Sequence, residues 1–155
     1  MEITIKEIVL AASVLFTGLS AGLFFGWSAS VIPGTLRIGD PTYLETMQNI
    51  NRAILNPVFF LVFFGTVLLL GGTSILEFDP HKLSFWFLLA ATLIYLIGMI
   101  GVTGFGNVPL NNELDALDLS ALNAFQLSDF RSHYESNWNR FHLIRTLAVI
   151  GAFIL

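Results

Sequence analysis

From Ile8 to Leu36 the chain carries no Asp, Glu, Lys or Arg. About 20 consecutive apolar residues cross the hydrocarbon core of a bilayer as a helix, and a soluble fold of this size has nowhere to bury such a run. Two more follow: Pro57 to Leu76, PVFFLVFFGTVLLLGGTSIL, and Leu83 to about Phe105. Only 12% of the residues are charged and 55% are hydrophobic, where roughly a quarter of a soluble domain is charged. Lipid is the solvent this composition suits. Near the C-terminus Arg145 is followed by TLAVIGAFIL alone, which predicts a shorter last span. With spans over about 8–33, 57–76, 83–105 and 136–155, residues 1–155 read as one domain. Its fold class is all-α, an integral membrane antiparallel four-helix bundle, multi-pass with both termini on the same side. The N-terminal MEITIKE is not a basic leader and the run after it is too long for one, so the first span is read as retained.

Several chemistries are excluded by what the chain lacks. Without cysteine there is no disulfide, thiolate metal site or thiol catalysis. Seven basic residues are scattered through a chain of net charge −4, which leaves no nucleic-acid footprint. The three histidines, His81, His133 and His142, are too few and too spread for a metal or haem site. No lysine lies within a span to form a Schiff base, and the absence of inverted repeats disfavours transport. No cofactor is expected. Membrane lipid and a hydrophobic small molecule are the expected partners.

Between spans one and two, DPTYLETMQNINRAILNP places Tyr43, Met47, Ile50 and Ile54 at helical spacing, with Thr42 and Glu45 as a capping box. This predicts an amphipathic helix at the interface. Asn56-Pro57 then starts the second span as N-cap and first helical residue. A polar helical linker, NNELDALDLSALNAFQLSDFRSHYESNW, joins spans three and four. Both linkers fall on one side of the membrane, opposite the termini. Arg37, Arg52, Arg131 and Arg140 lie on the linker side against Lys6 and Lys82 on the other, and a positive-inside count puts the linkers in the cytoplasm. Gly18, Gly22 and Gly26 form a small-residue stripe on span one, suited to another span of the same chain or to a subunit interface in a homo-oligomer or larger membrane complex.

The last span holds the feature that points most directly to function. Arg145 lies roughly 15 Å back from the C-terminus along a straight helix, close to the middle of the bilayer. An arginine there should face the interior and be paired. Trp138, His142 and Arg145 share one stripe, and Asn139, His142 and Thr146 an adjoining one. Arg145 either knits the bundle by bonding carbonyls freed near Pro33 or Pro109, or it serves a site. The segment GNVPLNNEL predicts a break of the third span near Asn107, because Val108 precedes proline. Such a break is tolerated only where it is buried or lines a cavity. Asn107 and Asn111 then face the level of Trp138 and His142, with Asn111 also a candidate cap of the next short helix.

These residues carry a family resemblance. Trp27 and Val31-Ile32-Pro33-Gly34, the Met47-Gln48-Asn49-Ile50-Asn51 helix, Asn56-Pro57, Asn107-Val108-Pro109-Leu110-Asn111 and Arg145-Thr146 resemble the anthrone oxygenase-like family of small four-span membrane proteins, long filed as a domain of unknown function. The resemblance covers nearly the whole chain. Where the family often has asparagine three residues before the arginine, this chain has His142, with Asn139 a turn earlier. The resemblance implies a cofactor-independent oxygenase that oxidises a flat aromatic or quinol-like molecule with O2. In that reading His142 is the base and Arg145, Asn107 and Asn111 hold the oxyanion. Trp27 and Trp138 are the walls, with Asn51 and Asn139 further binding residues. The alternatives are a non-catalytic accessory or assembly subunit and a lipid- or quinone-binding protein.

Overall fold

A computed structural model describes residues 3–155. Its helices are α1 (Ile5–Thr35), α2 (Asp40–Ala53), α3 (Pro57–Leu76), α4 (Leu83–Asp115) and α5 (Ala124–Ile154), with a short 3-10 turn at Leu119–Ala121 before α5. Three of them, α1, α3 and α4, are long and apolar enough to cross a membrane. α5 is long but falls short in apolarity, since Asp129, Arg131 and Glu135 lie in its first half and Asn137, Asn139, Arg140, His142 and Arg145 follow them.

Helix starts follow local chemistry. A capping box opens α1, with Glu7 N–H donating to Thr4 Oγ1 (3.3 Å) and Thr4 N–H donating to Glu7 Oε2 (2.8 Å). Asn56 caps α3 as expected, its Oδ1 accepting from Phe59 N–H at 3.0 Å. The Thr42–Glu45 box does not form. α2 starts earlier, with Gly39 as N-cap and Asp40-Pro41 in the first turn, where a proline loses no bond and an acid suits the helix dipole. α5 also starts earlier than the expected 136, on a capping box between Asn123 and Gln126.

The expected break near Asn107 is absent, and α4 runs through GNVPLNNEL to Asp115. Val108 is helical, at φ −63° and ψ −45°. A wide π-turn over Thr103–Asn107 precedes it, and the Val108 N–H bonds back to the Thr103 carbonyl. Widening the turn moves the carbonyl that a proline ring would strike one turn earlier. α1 uses the same device: a π-turn over Trp27–Val31 precedes Pro33, and the Ile32 N–H bonds to the Trp27 carbonyl.

Among the long helices, α1 packs on α3 and α5, and α5 packs on α4 along its length. α3 meets α4 over Leu83–Ile94, close to their connecting turn, and hardly at all beyond Gly101. The bundle is therefore closed at one end and splayed at the other. Hydroxyls tie the closed end: Ser13 to Thr73 at 2.7 Å, Ser74 to Thr92 at 3.0 Å, and Tyr95, which bonds Ser20 and donates to the Phe63 carbonyl, both at 3.0 Å. At the splayed end α2 lays Tyr43, Leu44, Met47 and Gln48 against α5 and the end of α4. Gln48 donates to the Leu114 and Leu117 carbonyls at 2.8 and 3.1 Å, satisfying the last turn of α4. Arg131 of α5 donates to the Ile38 carbonyl at 2.7 Å and pairs with Asp40 at 3.0 Å and Glu135 at 2.9 Å. Its guanidinium also covers the Tyr43 ring at 4.4 Å. Burial, with the Glu135 charge next, pushes the Tyr43 phenol above its ordinary range, so it stays neutral. Arg131 and Arg52, which pairs with Asp115 at 2.6 Å, are therefore committed to joining helices.

Glycine sorts close contacts from open faces. A Cβ on Gly98 would meet that of Ala148 at 2.6 Å, and one on Gly106 would meet the Phe141 ring at 2.6 Å. These positions let α4 and α5 approach closely. On α1, Gly18 faces Phe153 of the same chain at 3.1 Å, while Gly22 and Gly26 have nothing within 4 Å. Gly98→Ala is expected to lower stability in mild detergent by about 1–3 kcal/mol, the usual cost of overpacking, whereas Gly22→Ala is expected to be neutral. Thermal unfolding followed by helical circular dichroism reads both, and equal losses would place Gly22 in an interface with another chain.

Candidate functional site

At the splayed end a cavity of about 240 Å³ opens between the helices. One wall is a phenylalanine ladder from α3, Phe59, Phe60, Phe63 and Phe64. Ile50, Asn51 and Ile54 of α2 form another side, and Trp27 and Phe24 of α1 face Trp138 and Arg145 of α5. From α4 come Thr103, Gly104, Val108 and Asn111. The lining is mostly aromatic and aliphatic, with a guanidinium, two amides and a hydroxyl as its polar side chains. That is the usual make-up of a small-molecule site. Phe60, Phe64, Val108 and Gly104 are also exposed on the outer surface, so the cavity reaches the outside between α3 and α4.

Arg145 is buried at 7% exposure, and no carboxylate of the described residues comes within salt-bridge distance. Its guanidinium lies 4.7 Å from the Phe24 ring centre and 5.0 Å from that of Trp138, so two π-faces supply part of the compensation. One terminal nitrogen donates to His142 Nδ1 at 3.2 Å and the other reaches Thr103 Oγ1 at 3.5 Å. It bonds no carbonyl near Pro33 or Pro109. Nε is buried with no partner.

Trp138 is held on both sides. Its ring stacks on His142 with centroids 5.1 Å apart and planes 9° apart, and its indole N–H donates to Asn111 Oδ1 at 2.9 Å. Tyr134 O–H donates to the same Oδ1 at 3.1 Å and accepts from Asn51 Nδ2 at 3.0 Å. Asn111 thus caps nothing. It sits mid-helix and joins α4 to α5, while Asn51 brings in α2.

The chain matches the anthrone oxygenase family over residues 47–155, from within α2 to the end. It belongs to that family. No curated protein and no solved structure matches it. The matched region holds Asn51, Asn107, Asn111, Trp138, Asn139, His142 and Arg145; Trp27 lies before it.

In this anthrone oxygenase-family membrane protein the cavity gathers five of the eight residues singled out from sequence: Trp27, Asn51, Asn111, Trp138 and Arg145. The other three lie outside its lining. Asn107 is buried with its Nδ2 donating to the Trp138 carbonyl at 3.1 Å and its Oδ1 unpartnered. Asn139 is half-buried on another face of α5. His142, 1% exposed, sits behind Trp138 and Arg145. An arginine N–H can only donate, so His142 Nδ1 must accept and Nε2 must carry the proton. Ser28 Oγ lies 2.9 Å and Thr146 Oγ1 3.3 Å from Nε2, and each hydroxyl already donates to a helix carbonyl, leaving both free to accept. Both imidazole nitrogens are therefore engaged away from the cavity.

Sequence reasoning missed Thr103, Ser28 and the α3 phenylalanines. The first two are small polar residues inside apolar runs, a signal open to notice. The phenylalanines look like any lipid-facing aromatics until the splay of α3 from α4 gives them an inner side. Asn111→Ala removes the acceptor of the buried Trp138 N–H, and is expected to cost about 1–3 kcal/mol of stability and to shift tryptophan emission. Unchanged thermal unfolding and emission would show that the Asn111–Trp138 bond is not formed.

Proposed function

We propose that the cavity binds a flat hydrophobic aromatic or quinol-like molecule and oxidises its activated methylene with O2, needing no cofactor. The observation that carries this reading is an aromatic-walled slot with a cationic guanidinium and amides grouped on one side. An anthrone-like substrate has an acidic methylene because its carbanion is an aromatic phenolate. Hydrogen bonds from Arg145 to the substrate oxygen favour that enolate, in the manner of an oxyanion hole. The methylene proton passes to water, since no carboxylate or imidazole lines the cavity. The enolate carbon then adds O2. Overall the methylene loses two hydrogens, one oxygen atom becomes its carbonyl, and the other leaves with those hydrogens as water. Atoms and electrons balance with O2 as the sole oxidant.

In this reading His142 is a positioning residue. It holds the guanidinium through Nδ1 and stacks on Trp138, and enolisation is driven by stabilising the oxyanion. A fourth crossing by the C-terminal half of α5 would put Arg145 at bilayer depth and both termini on one side. The gap between α3 and α4 would admit substrate and O2 from the lipid. A binding role without turnover is the second reading, favoured by the lack of a carboxylate or free imidazole in the cavity lining.

O2 uptake by purified protein given anthrone, with anthraquinone formation followed by absorbance, tests the proposal. Arg145→Gln is expected to lower the rate by about 10²–10³, the usual loss for an oxyanion donor. His142→Asn should keep most of the rate, since an amide oxygen can still accept from Arg145, whereas a catalytic base would not survive that change. Gly104→Trp should slow turnover by narrowing the gap. Wild-type uptake no faster than in protein-free detergent would leave the binding reading, and stable stoichiometric subunits on purification would favour an accessory role.

A further inference from the structure

We propose that the cavity selects for charge as well as shape, preferring an aromatic ligand with an ionised oxygen over its neutral counterpart, so that the bound molecule is the counter-anion of Arg145. This rests on the cavity being a ligand site, as proposed above, and adds the charge state of what enters it.

A guanidinium carries five N–H bonds, and two of those of Arg145 are engaged, one by His142 Nδ1 and one at the limit of range by Thr103 Oγ1. Thr103 spends its own hydroxyl proton on the Met99 carbonyl at 2.7 Å, so it only accepts. Neither partner carries negative charge. The remaining donors belong to a side chain that lines the cavity, is more than nine-tenths buried, and has its Nε wholly unpartnered. The rings of Phe24 and Trp138 attract the cation but offer no lone pairs.

The cavity's other polar side chains add no charge. Asn111 Oδ1 already accepts from Tyr134 and Trp138, which leaves its Nδ2 as a further donor. Of the acidic side chains near this end, Asp115 is committed to Arg52 and both Asp40 and Glu135 to Arg131, while Glu45, Glu113, Asp118 and Asp129 are exposed on the surface. A buried cation without a counter-charge is among the costliest arrangements in a protein. An anion entering with its ring against the α3 phenylalanines and its oxygen toward Arg145 would relieve that cost through charge-assisted bonds. A neutral ligand of equal shape would leave it standing. The same asymmetry should exclude a cation.

Three probes with one anthracene ring separate these cases: 9-anthracenecarboxylate, 9-anthracenemethanol and 9-anthracenemethylammonium. Each is titrated at neutral pH into the purified full-length protein in mild detergent, with anthracene fluorescence anisotropy as readout and empty micelles as the blank. The carboxylate is expected to bind roughly tenfold or more tighter than the alcohol, as charge-assisted bonds imply, and the ammonium weakest. In Arg145→Gln the carboxylate's advantage should vanish. The ratio within the wild-type protein decides the matter even if that variant does not fold. Equal affinity for carboxylate and alcohol would overturn the charge preference and leave the ligand site standing. Binding of none of the three above the micelle blank, to protein with intact helical circular dichroism, would overturn both readings.

Discussion

One buried guanidinium organises the splayed end of this molecule. Arg145 has no acidic partner among the described residues, so its surroundings compensate with rings, an imidazole lone pair and a hydroxyl. Each of those is positioned by something further out. Trp138 sits flat on His142 because its indole N–H is fixed by Asn111 and its carbonyl by Asn107. Thr103 reaches the guanidinium because it opens the π-turn that carries α4 past Pro109. α4 lies close enough to α5 for these contacts because Gly98 and Gly106 leave room for Ala148 and Phe141. A polar residue that is costly in an apolar bundle is thus held by small, specific devices on three helices.

The division of labour between the two ends follows from packing. Hydroxyl pairs and close helix contacts shut the end near the α3–α4 turn. At the other end α2 and the Arg131 cluster bind α5 to α1 without drawing α3 against α4. The space left there is the cavity, and its phenylalanine wall needs no special sequence beyond an apolar helix.

Much of the architecture was legible in the chain because lipid imposes a simple rule. Charge-free runs placed α1, α3 and most of α4, and Asn56-Pro57 marked the start of α3 to the residue. The proline at 109 misled, since a π-turn that rescues a helix leaves no compositional trace. The Asn123–Gln126 capping box was readable and would have given α5 its true start. The tightest glycine contacts lie on α4, at Gly98 and Gly106, while of the α1 stripe Gly18 alone meets a side chain of the same chain, because which glycine is crowded depends on what lies opposite. Arg145, Trp138 and Asn111 were identified by chemistry and spacing and Trp27 and Asn51 through the family resemblance, and the fold brings them together at one cavity. His142 was legible as a neighbour of Arg145, but its orientation depends on Ser28 and Thr146, which only the packed helices supply.

On the proposed reading this cavity takes up a flat aromatic molecule beside Trp27 and Trp138, whose rings pack together with centroids 5.6 Å apart. The third tryptophan, Trp86, is exposed near the opposite end, with its indole bonded to the Pro80 carbonyl. Replacing it, Trp86→Phe, would leave tryptophan emission reporting on the cavity alone. Titrating anthrone into that variant under argon should give saturable quenching at one molecule per chain, well beyond that of free tryptophan in the same detergent. Quenching that rises linearly without saturation and matches the free indole would mean that the cavity is not a ligand site, and the account built on Arg145 would fall with it.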